Sequence, residues 1–142
     1  MKLNFKLSEN SKLPTKADEG SSGYDLYASE SAIIPAHKWK LVSTGLSWQP
    51  ESNNVEMQIR PRSGMAAKHS ITVLNSPGTI DFSYRGIIGV LLINHSDTDY
   101  EISIGDRIAQ AVFRKTDEFD LMVVDSLDVT ERNDGGFGSS GK

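Results

Sequence analysis

The 142-residue chain contains no cysteine, few aromatic residues (8%) and no long apolar run. Without cysteine it has no disulfide framework, zinc–thiolate site, thiol nucleophile or iron–sulfur cluster. Its longest uncharged apolar run, Gly86–Ile93, is far too short to cross a bilayer. Residues 1–10 lack the continuous apolar segment of a signal peptide. We therefore expect no membrane partner and a cytoplasmic location.

An excess of basic charge is also missing. The chain has 15 Lys+Arg against 19 Asp+Glu, which gives a net charge of −4. Binding along a nucleic-acid duplex requires a basic face that neutralises successive phosphates, so we expect no stable nucleic-acid partner. Net charge does not exclude a local anion site, and a nucleotide ligand remains open.

The apolar residues that are present predict short strands separated by turns. Alternation over residues 3–7, 55–59 and 102–104 predicts half-buried strands. The continuous run 87–93 predicts a strand buried on both faces, and residues 121–124 predict a shorter strand of the same kind. Frequent Gly, Pro, Ser and Asp turns between these segments indicate one all-β domain: a sandwich, jelly roll or barrel.

Two segments differ from this pattern. Residues 63–68 predict a short helix, with Ser63 as the capping residue. Residues 131–142 contain four Gly, two Ser and a single aromatic residue, Phe137. Such a segment buries too little apolar surface to offset its ordering entropy, so we expect it to be mobile until a partner orders it. The predicted organisation is a β domain over residues 1–130 and a mobile C-terminal arm over residues 131–142.

Five short stretches combine glycine with charged or hydroxyl residues. Taken singly, each is explained as a turn, a helix cap or a solvated tail. Together they favour a nucleotide site, because Arg62 at the start of a helix forms an anion site and Arg132 offers a second phosphate contact. Phe137 can stack on a planar base, which stabilises by about 1–3 kcal/mol. The stretches are Ser22–Ala28, Pro61–Ala66, Asn75–Gly86, Gly105–Gln110 and Arg132–Gly141.

Other patterns in the sequence predict no chemistry. Residues 136–142 resemble part of a P-loop, but no Ser or Thr follows Lys142 and no helix begins there. Residues 97–99 contain two aspartates and are better explained as a turn between apolar strands. No Gly-x-Ser-x-Gly elbow is present. The spacing of the three histidines matches no helical ligand motif: they are His37, His69 and His95.

In this order and spacing, the five stretches resemble the five motifs of the trimeric dUTP pyrophosphatase (dUTPase) family. The most specific are Arg-Ser-Gly-Met-Ala, Gly-x-Ile-Asp-x-x-Tyr-Arg-Gly, Gly-Asp-Arg-Ile-Ala-Gln and Gly-Gly-Phe-Gly-Ser. The resemblance implies a jelly-roll-like β-barrel protomer of the β-clip type and a homotrimer with active sites between subunits. It also implies Mg²⁺-assisted hydrolysis of dUTP to dUMP and pyrophosphate, which keeps uracil out of DNA and supplies dUMP for thymidylate synthesis.

The resemblance assigns a role to individual residues. Asp81 is the implied general base, and Asp25 supports the Mg²⁺ site through water. Gly78, Thr79 and Ile80, with Asn75, read the uracil edge, and Tyr84 lies under the deoxyribose. The implied phosphate contacts are Arg62, Ser63, Gly64 and Gln110, and the implied C-terminal arm, which closes a neighbouring subunit's site, uses Arg132, Phe137, Gly138, Ser139 and Ser140.

The chain departs from the family pattern at few positions, and two alternative functions can be compared with it. Ile87 stands where many members have Glu, and Asn133 and Asp134 follow Arg132. The related dCTP deaminases place a catalytic Glu directly after the aromatic residue, where this chain has Arg85. A non-catalytic nucleotide-binding regulator is the second alternative. The presence of Asp81, Arg132 and Phe137 argues against it. A viral protein of this kind would lie in the host-cell cytoplasm or nucleus.

Overall fold

The structure, a computed structural model, describes residues 1–136 of the chain. Eleven short strands and one short helix follow one another along this part of the chain. No helix within residues 1–136 is long and apolar enough to cross a membrane. The elements are β1 (Leu3–Leu7), β2 (Tyr24–Tyr27), β3 (Ala32–Ile34), β4 (Trp39–Ser43), β5 (Leu46–Pro50), β6 (Val55–Arg60), α1 (Ser63–His69), β7 (Ile71–Val73), β8 (Gly78–Ile80), β9 (Gly89–Asn94), β10 (Tyr100–Ile102) and β11 (Arg107–Lys115).

Antiparallel pairing groups these strands into sheets. The largest has the order β2-β11-β6-β8, and the others are β4-β9-β7, β1-β5 and β10-β3. The all-β, jelly-roll-like prediction with one short helix is confirmed. Within residues 1–136, however, the strands form four separate sheets and not one continuous closed barrel.

The apolar core follows the alternation in the sequence. In β6, Val55, Met57 and Ile59 are buried, whereas the polar residues between them are only partly covered. The neighbouring strands β11 and β8 pair with the two edges of β6, and its three buried residues belong to the apolar core. The predicted strands over 3–7 and 55–59 are confirmed. The largest fully buried side chains include Trp48, Leu26, Ile34, Leu46, Met57, Ile71, Ile88, Leu92 and Ile108.

The apolar run 87–93 is not buried on both faces, so that prediction is wrong. Ile87 precedes β9 and is 53% exposed, and along β9 buried residues alternate with half-buried ones. One face of the sheet β4-β9-β7 packs on the core, while its other face is uncovered in the protomer. On that uncovered face, Trp39 and Leu41 of β4 are exposed and lie opposite β9 residues in register.

Two further strand predictions need correction. The segment 102–104 is not a strand, because β10 ends at Ile102 and a turn follows, in which the N–H of Ser103 donates to Asp106 Oδ2 at 2.8 Å. Gly105 adopts a φ of 86° in this turn, a conformation that favours glycine. Residues 121–124 belong to no strand either. Their side chains are largely or fully exposed in the protomer.

The helix α1 is present, but Ser63 does not cap it. Ser63 is the first helical residue, and Arg62 occupies the capping position with extended backbone angles and no side-chain capping bond. The guanidinium of Arg62 is directed to other partners, which are described below. The helix ends at His69, and Ser70 caps it with a left-handed backbone conformation and an N–H that closes the last turn.

Candidate active site

Asp25 lies in β2 with only 4% of its surface exposed, between two arginines. Its Oδ1 is 3.3 Å from Arg62 Nε, and its Oδ2 accepts a hydrogen bond from Arg107 Nη1 at 3.3 Å. A buried carboxylate is stable only when it is paired, and here the two guanidiniums supply the compensating charge. We call Asp25, Arg62 and Arg107 the arginine cluster.

Arg62 lies between the end of β6 and the start of α1, and its guanidinium contacts residues of the largest sheet. In addition to the Asp25 contact, Arg62 Nη1 donates to the carbonyl oxygen of Arg107 at 3.1 Å. Ser63 and Gly64, which follow it, are exposed. A Cβ added at Gly64 would meet no heavy atom within 4 Å, so the backbone there is open to a ligand.

Gln110 extends the arginine cluster across the largest sheet. In β11 it lies opposite Asp25 on one side and Arg60 on the other. A Cβ added at Gly23 would be 3.1 Å from Gln110 Oε1, so glycine leaves the space that this amide occupies. The structure therefore brings five of the predicted residues to one end of the sheet: Asp25, Arg62, Ser63, Gly64 and Gln110.

The hairpin segment, residues 75–84, contains the predicted base-reading and catalytic residues. Its strand β8 lies at the edge of the largest sheet and pairs only with β6 within the described residues. An edge strand leaves one row of backbone N–H and C=O groups unpaired. A Cβ added at Gly78 would be 3.3 Å from Asn75 Nδ2, so the Asn75 amide packs close against the start of β8. Thr79 is exposed and Ile80 is half-buried.

Asp81 and Tyr84 form the end of the hairpin segment. Asp81 follows β8 directly and is exposed, and its carbonyl oxygen accepts a hydrogen bond from the N–H of Tyr84 at 3.1 Å. The Tyr84 hydroxyl donates to the carbonyl oxygen of Ile87 at 3.1 Å. A Cβ added at Gly86 would be 2.6 Å from Tyr84 Cζ, so only glycine admits the phenol in this position. The Tyr84 ring is thus held in place and remains 43% exposed.

Asp81 and Arg62 do not meet within one protomer. Ile80 lies opposite Met57 in the antiparallel pair β6–β8, so Asp81 extends beyond Met57, away from Arg62. The position opposite Asp81 is that of Glu56, which lies six residue steps before Arg62 along β6 and its continuation. At about 3.3 Å per residue, this corresponds to about 20 Å. A single protomer therefore presents the two groups at separate places.

The C-terminal residues that the structure describes form a hydrogen-bonded turn. Asn133, with a φ of 45°, exchanges hydrogen bonds with Thr130, each at 3.0 Å. Arg132 Nε donates to the carbonyl oxygen of Gly135 at 2.8 Å, and the Arg132 side chain is exposed. The predicted arm residues Phe137, Gly138, Ser139 and Ser140 lie outside the described residues.

Comparison with known proteins decides the family. The family model described as dUTPase matches residues 9–141. The chain belongs to the dUTPase family. Two curated relatives are deoxyuridine 5'-triphosphate nucleotidohydrolases: that of Picosynechococcus sp. is 53% identical, covering 96% of each chain, and that of Nautilia profundicola is 49% identical, covering both chains completely. The dUTP diphosphatase class of enzyme, inferred from the motifs, is thereby confirmed.

Solved dUTPase structures have the same fold. The Staphylococcus bacteriophage 80alpha dUTPase with dUPNHPP superposes with a TM-score of 0.90 at 26% identity, covering 99% of each chain. The dUTPase of S. aureus phage phi11, described with a structural Mg(II) ion, has a TM-score of 0.81 at 21% identity, covering 91% of this chain and all of that one. At that identity the second likeness supports the fold alone.

The structure also places the residues of the patterns that the sequence raised as alternatives. Arg85, at the deaminase Glu position, donates to the carbonyl oxygens of Phe82 and Tyr84 and so belongs to the turn. Asp97 contacts His37 Nε2 at 2.9 Å in an exposed turn. Among residues 1–136, no three His, Asp or Glu side chains are grouped in a way that would hold a metal ion.

Two neighbours of Arg62 were not predicted from the sequence. Arg107 belongs to the quoted Gly105–Gln110 stretch but received no role, because its partner Asp25 is 82 residues away. Tyr100 in β10 is half-buried, and burial is the main cause of its pKa being raised above 10.0. Asp106 also raises this pKa, while Arg62 lowers it. No local pattern in the sequence signals either contact.

Proposed function

We propose that the protein hydrolyses dUTP to dUMP and pyrophosphate at sites formed between the subunits of a homotrimer. The observation that carries this proposal is the match of the dUTPase family model over residues 9–141. It is supported by two relatives, 53% and 49% identical in sequence, that are named for this activity. The two residue groups described above supply the chemistry that the reaction needs.

Base recognition is assigned to the hairpin segment. The unpaired edge of β8, over Gly78, Thr79 and Ile80, offers backbone donors and acceptors to the uracil edge, and Asn75 adds a side-chain amide. Cytosine presents the opposite hydrogen-bonding pattern at the same positions, so it would leave buried polar groups unpaired. Such mismatches give strong discrimination. Tyr84, held by Ile87 and Gly86, would pack under the deoxyribose and leave no room for a 2′-hydroxyl.

Phosphate binding is assigned to the opposite end of the sheet. Arg62 supplies a fixed charge, and Ser63, Gly64 and Gln110 supply polar groups around it. Phosphoryl transfer depends mainly on positioning and on neutralising charge, so few protein groups need to react.

Magnesium fits this end of the site as an ion held mainly by triphosphate oxygens and waters. Asp25 Oδ1 is buried and has no hydrogen-bond partner among the described residues. It thus has an unused acceptor for a water of the ion's shell, and Asp25 would hold Mg²⁺ indirectly. When bound, the ion neutralises the triphosphate charge that develops during bond cleavage.

Hydrolysis is assigned to Asp81. Its carboxylate would accept a proton from a water molecule as the water oxygen bonds to the α-phosphorus. The bond from that phosphorus to the bridging oxygen then breaks, and pyrophosphate leaves with the electron pair. Asp81 is exposed directly after β8, so a water molecule and a substrate can reach it.

Assembly of the protomers would bring the two groups together. Asp81 and Arg62 are about 20 Å apart along the sheet, whereas they must contact neighbouring parts of one triphosphate. The apolar residues 121–124, exposed in the protomer, would pack against another subunit. Beyond them, the arm over residues 131–142, with Arg132, Phe137, Gly138, Ser139 and Ser140, would close a neighbouring subunit's site and exclude water.

The test is pyrophosphate release by the purified protein in the presence of Mg²⁺, measured with dUTP, dCTP, dTTP and UTP. We expect turnover of dUTP and almost none of the other three. Asp81→Asn should lower turnover by about 10²–10⁴-fold while dUTP still binds. Asp97→Asn, which changes an exposed carboxylate in a distant turn, serves as the matched control. Equal turnover of all four nucleotides, or of none, would refute the proposal.

A further inference from the structure

Arg107 makes two contacts in the arginine cluster, one with Asp25 and one directly with the Arg62 side chain. Its guanidinium donates to Asp25 Oδ2 at 3.3 Å, and its carbonyl oxygen accepts from Arg62 Nη1 at 3.1 Å. Asp25 in turn faces Arg62 Nε through Oδ1, again at 3.3 Å. The three residues therefore form a closed ring of contacts that begins and ends at Arg107.

This ring fixes the orientation of the Arg62 guanidinium. The plane of a guanidinium is defined by its nitrogens. Nη1 donates to the Arg107 carbonyl oxygen, and Nε lies 3.3 Å from Asp25 Oδ1 in an ion pair without a hydrogen bond. Arg62 Nη2 has no hydrogen bond within residues 1–136. The ring thus leaves one edge of the fork for a ligand. The Arg62 side chain is 23% exposed, so a ligand can reach part of it.

The carboxylate of the ring is buried, whereas the side chain of Arg107 is half exposed. The Asp25 side chain is 5% exposed, while that of Arg107 is 51% exposed. If Arg107 lost its charge, Asp25 would keep a single cation, Arg62. Removing one partner of a buried ion pair leaves part of the buried charge uncompensated, which is costly. We expect Arg62 to turn further toward Asp25, at the expense of its free edge.

We propose that Arg107 is a positioning residue, which holds Asp25 and thereby aims the Arg62 guanidinium at the phosphates of the substrate. This rests on the proposed function, in which Arg62 binds phosphate. Arg107 acts through Arg62 and needs no phosphate contact of its own. Its effect should therefore exist only while Arg62 is present.

A double-mutant cycle tests this dependence. Arg107→Gln should raise the KM for dUTP about tenfold with a smaller change in kcat, because charged hydrogen bonds of this kind are involved. Arg107→Lys, which keeps a charge near Asp25, should recover part of the loss. In an Arg62→Ala background the same Arg107→Gln change should have almost no further effect. Arg114→Gln, an exposed residue of the same strand, is the matched control and should leave KM unchanged.

The possible outcomes separate the roles of Arg107. Non-additive KM effects support positioning. Additive effects would mean that Arg107 binds phosphate directly, and they would overturn the proposal. A fall in melting temperature with KM unchanged would show a purely structural role and would also overturn it. If the unaltered protein fails to hydrolyse dUTP, the proposed function fails instead.

A ligand-free measurement tests the positioning without any activity. The Arg62 Nε–H resonance, assigned by its loss in Arg62→Lys, reports the contact between Arg62 and Asp25. In Arg107→Gln we expect its exchange with water to slow, because Arg62 turns further toward Asp25, and in Arg114→Gln we expect no change. Unchanged exchange in Arg107→Gln would refute the ring as a positioning device, whether or not the protein hydrolyses dUTP.

Discussion

Val123 provides a sensitive test of assembly. In the protomer its side chain is 101% exposed and its neighbour Leu121 is 94% exposed. Substitutions at such fully exposed positions usually change the unfolding free energy by less than about 0.5 kcal/mol. If the segment packs between subunits, however, burying a valine side chain stabilises by about 1.5–3 kcal/mol, or about 5–9 kcal/mol over three symmetric copies.

Val123→Asp should therefore dissociate or strongly weaken the trimer, since it also places a charge in an apolar contact. The measurements are the molar mass by light scattering and the thermal unfolding midpoint as a function of protein concentration. Ser126→Asp adds the same charge to the same segment at a polar position and serves as the control. If Val123→Asp and Ser126→Asp have the same mass and the same midpoint, residues 121–124 do not form an interface.

Two further predictions concern the fold. Asn94→Asp should lower the unfolding free energy by about 2–6 kcal/mol in urea titrations, because the buried Asn94 amide donates to the carbonyl oxygens of Ile34 and Thr98, and a carboxylate can donate to neither. Asn54→Asp, at an exposed position, should have little effect. Equal losses of unfolding free energy in Asn94→Asp and Asn54→Asp would contradict this account. The raised pKa of Tyr100 means that the folded state holds its phenolic proton more tightly than the unfolded state. Stability should therefore fall as pH rises above about 10, and Tyr100→Phe should make the melting temperature less sensitive to pH between about 9 and 11; an equally steep fall would contradict it.

Local sequence patterns were sufficient to predict the strands that have one buried and one exposed face in the protomer. Alternation over residues 3–7 and 55–59 predicted β1 and β6, because one face of each packs on the core. The apolar runs at 87–93 and 121–124 predict strands buried on both faces, yet they leave apolar surface uncovered. A sequence pattern reports that a residue avoids water, but not whether its own chain or a second copy covers it.

The motifs name candidate residues but not the contacts between them. Asp25, Arg62 and Gln110 lie together at one end of the largest sheet, and their roles stay predictions. The contact between Arg107 and Asp25 joins residues 82 positions apart and was missed. Ser63 was predicted as the helix cap from its residue type. Instead Arg62 holds the capping position, and its side chain contacts Asp25 and the Arg107 carbonyl oxygen rather than the helix.

Activity in mixed trimers tests most directly the claim that one dUTP site takes Asp81 from one subunit and Arg62 from another. Asp81→Asn and Arg62→Ala should each be nearly inactive alone. In trimers assembled at random from equal amounts of both, about a quarter of the sites receive an intact hairpin segment from one subunit and an intact Arg62 from its neighbour. We therefore predict recovery of about a quarter of the unaltered activity. Activity no greater than the sum of the separate variants would contradict the shared site.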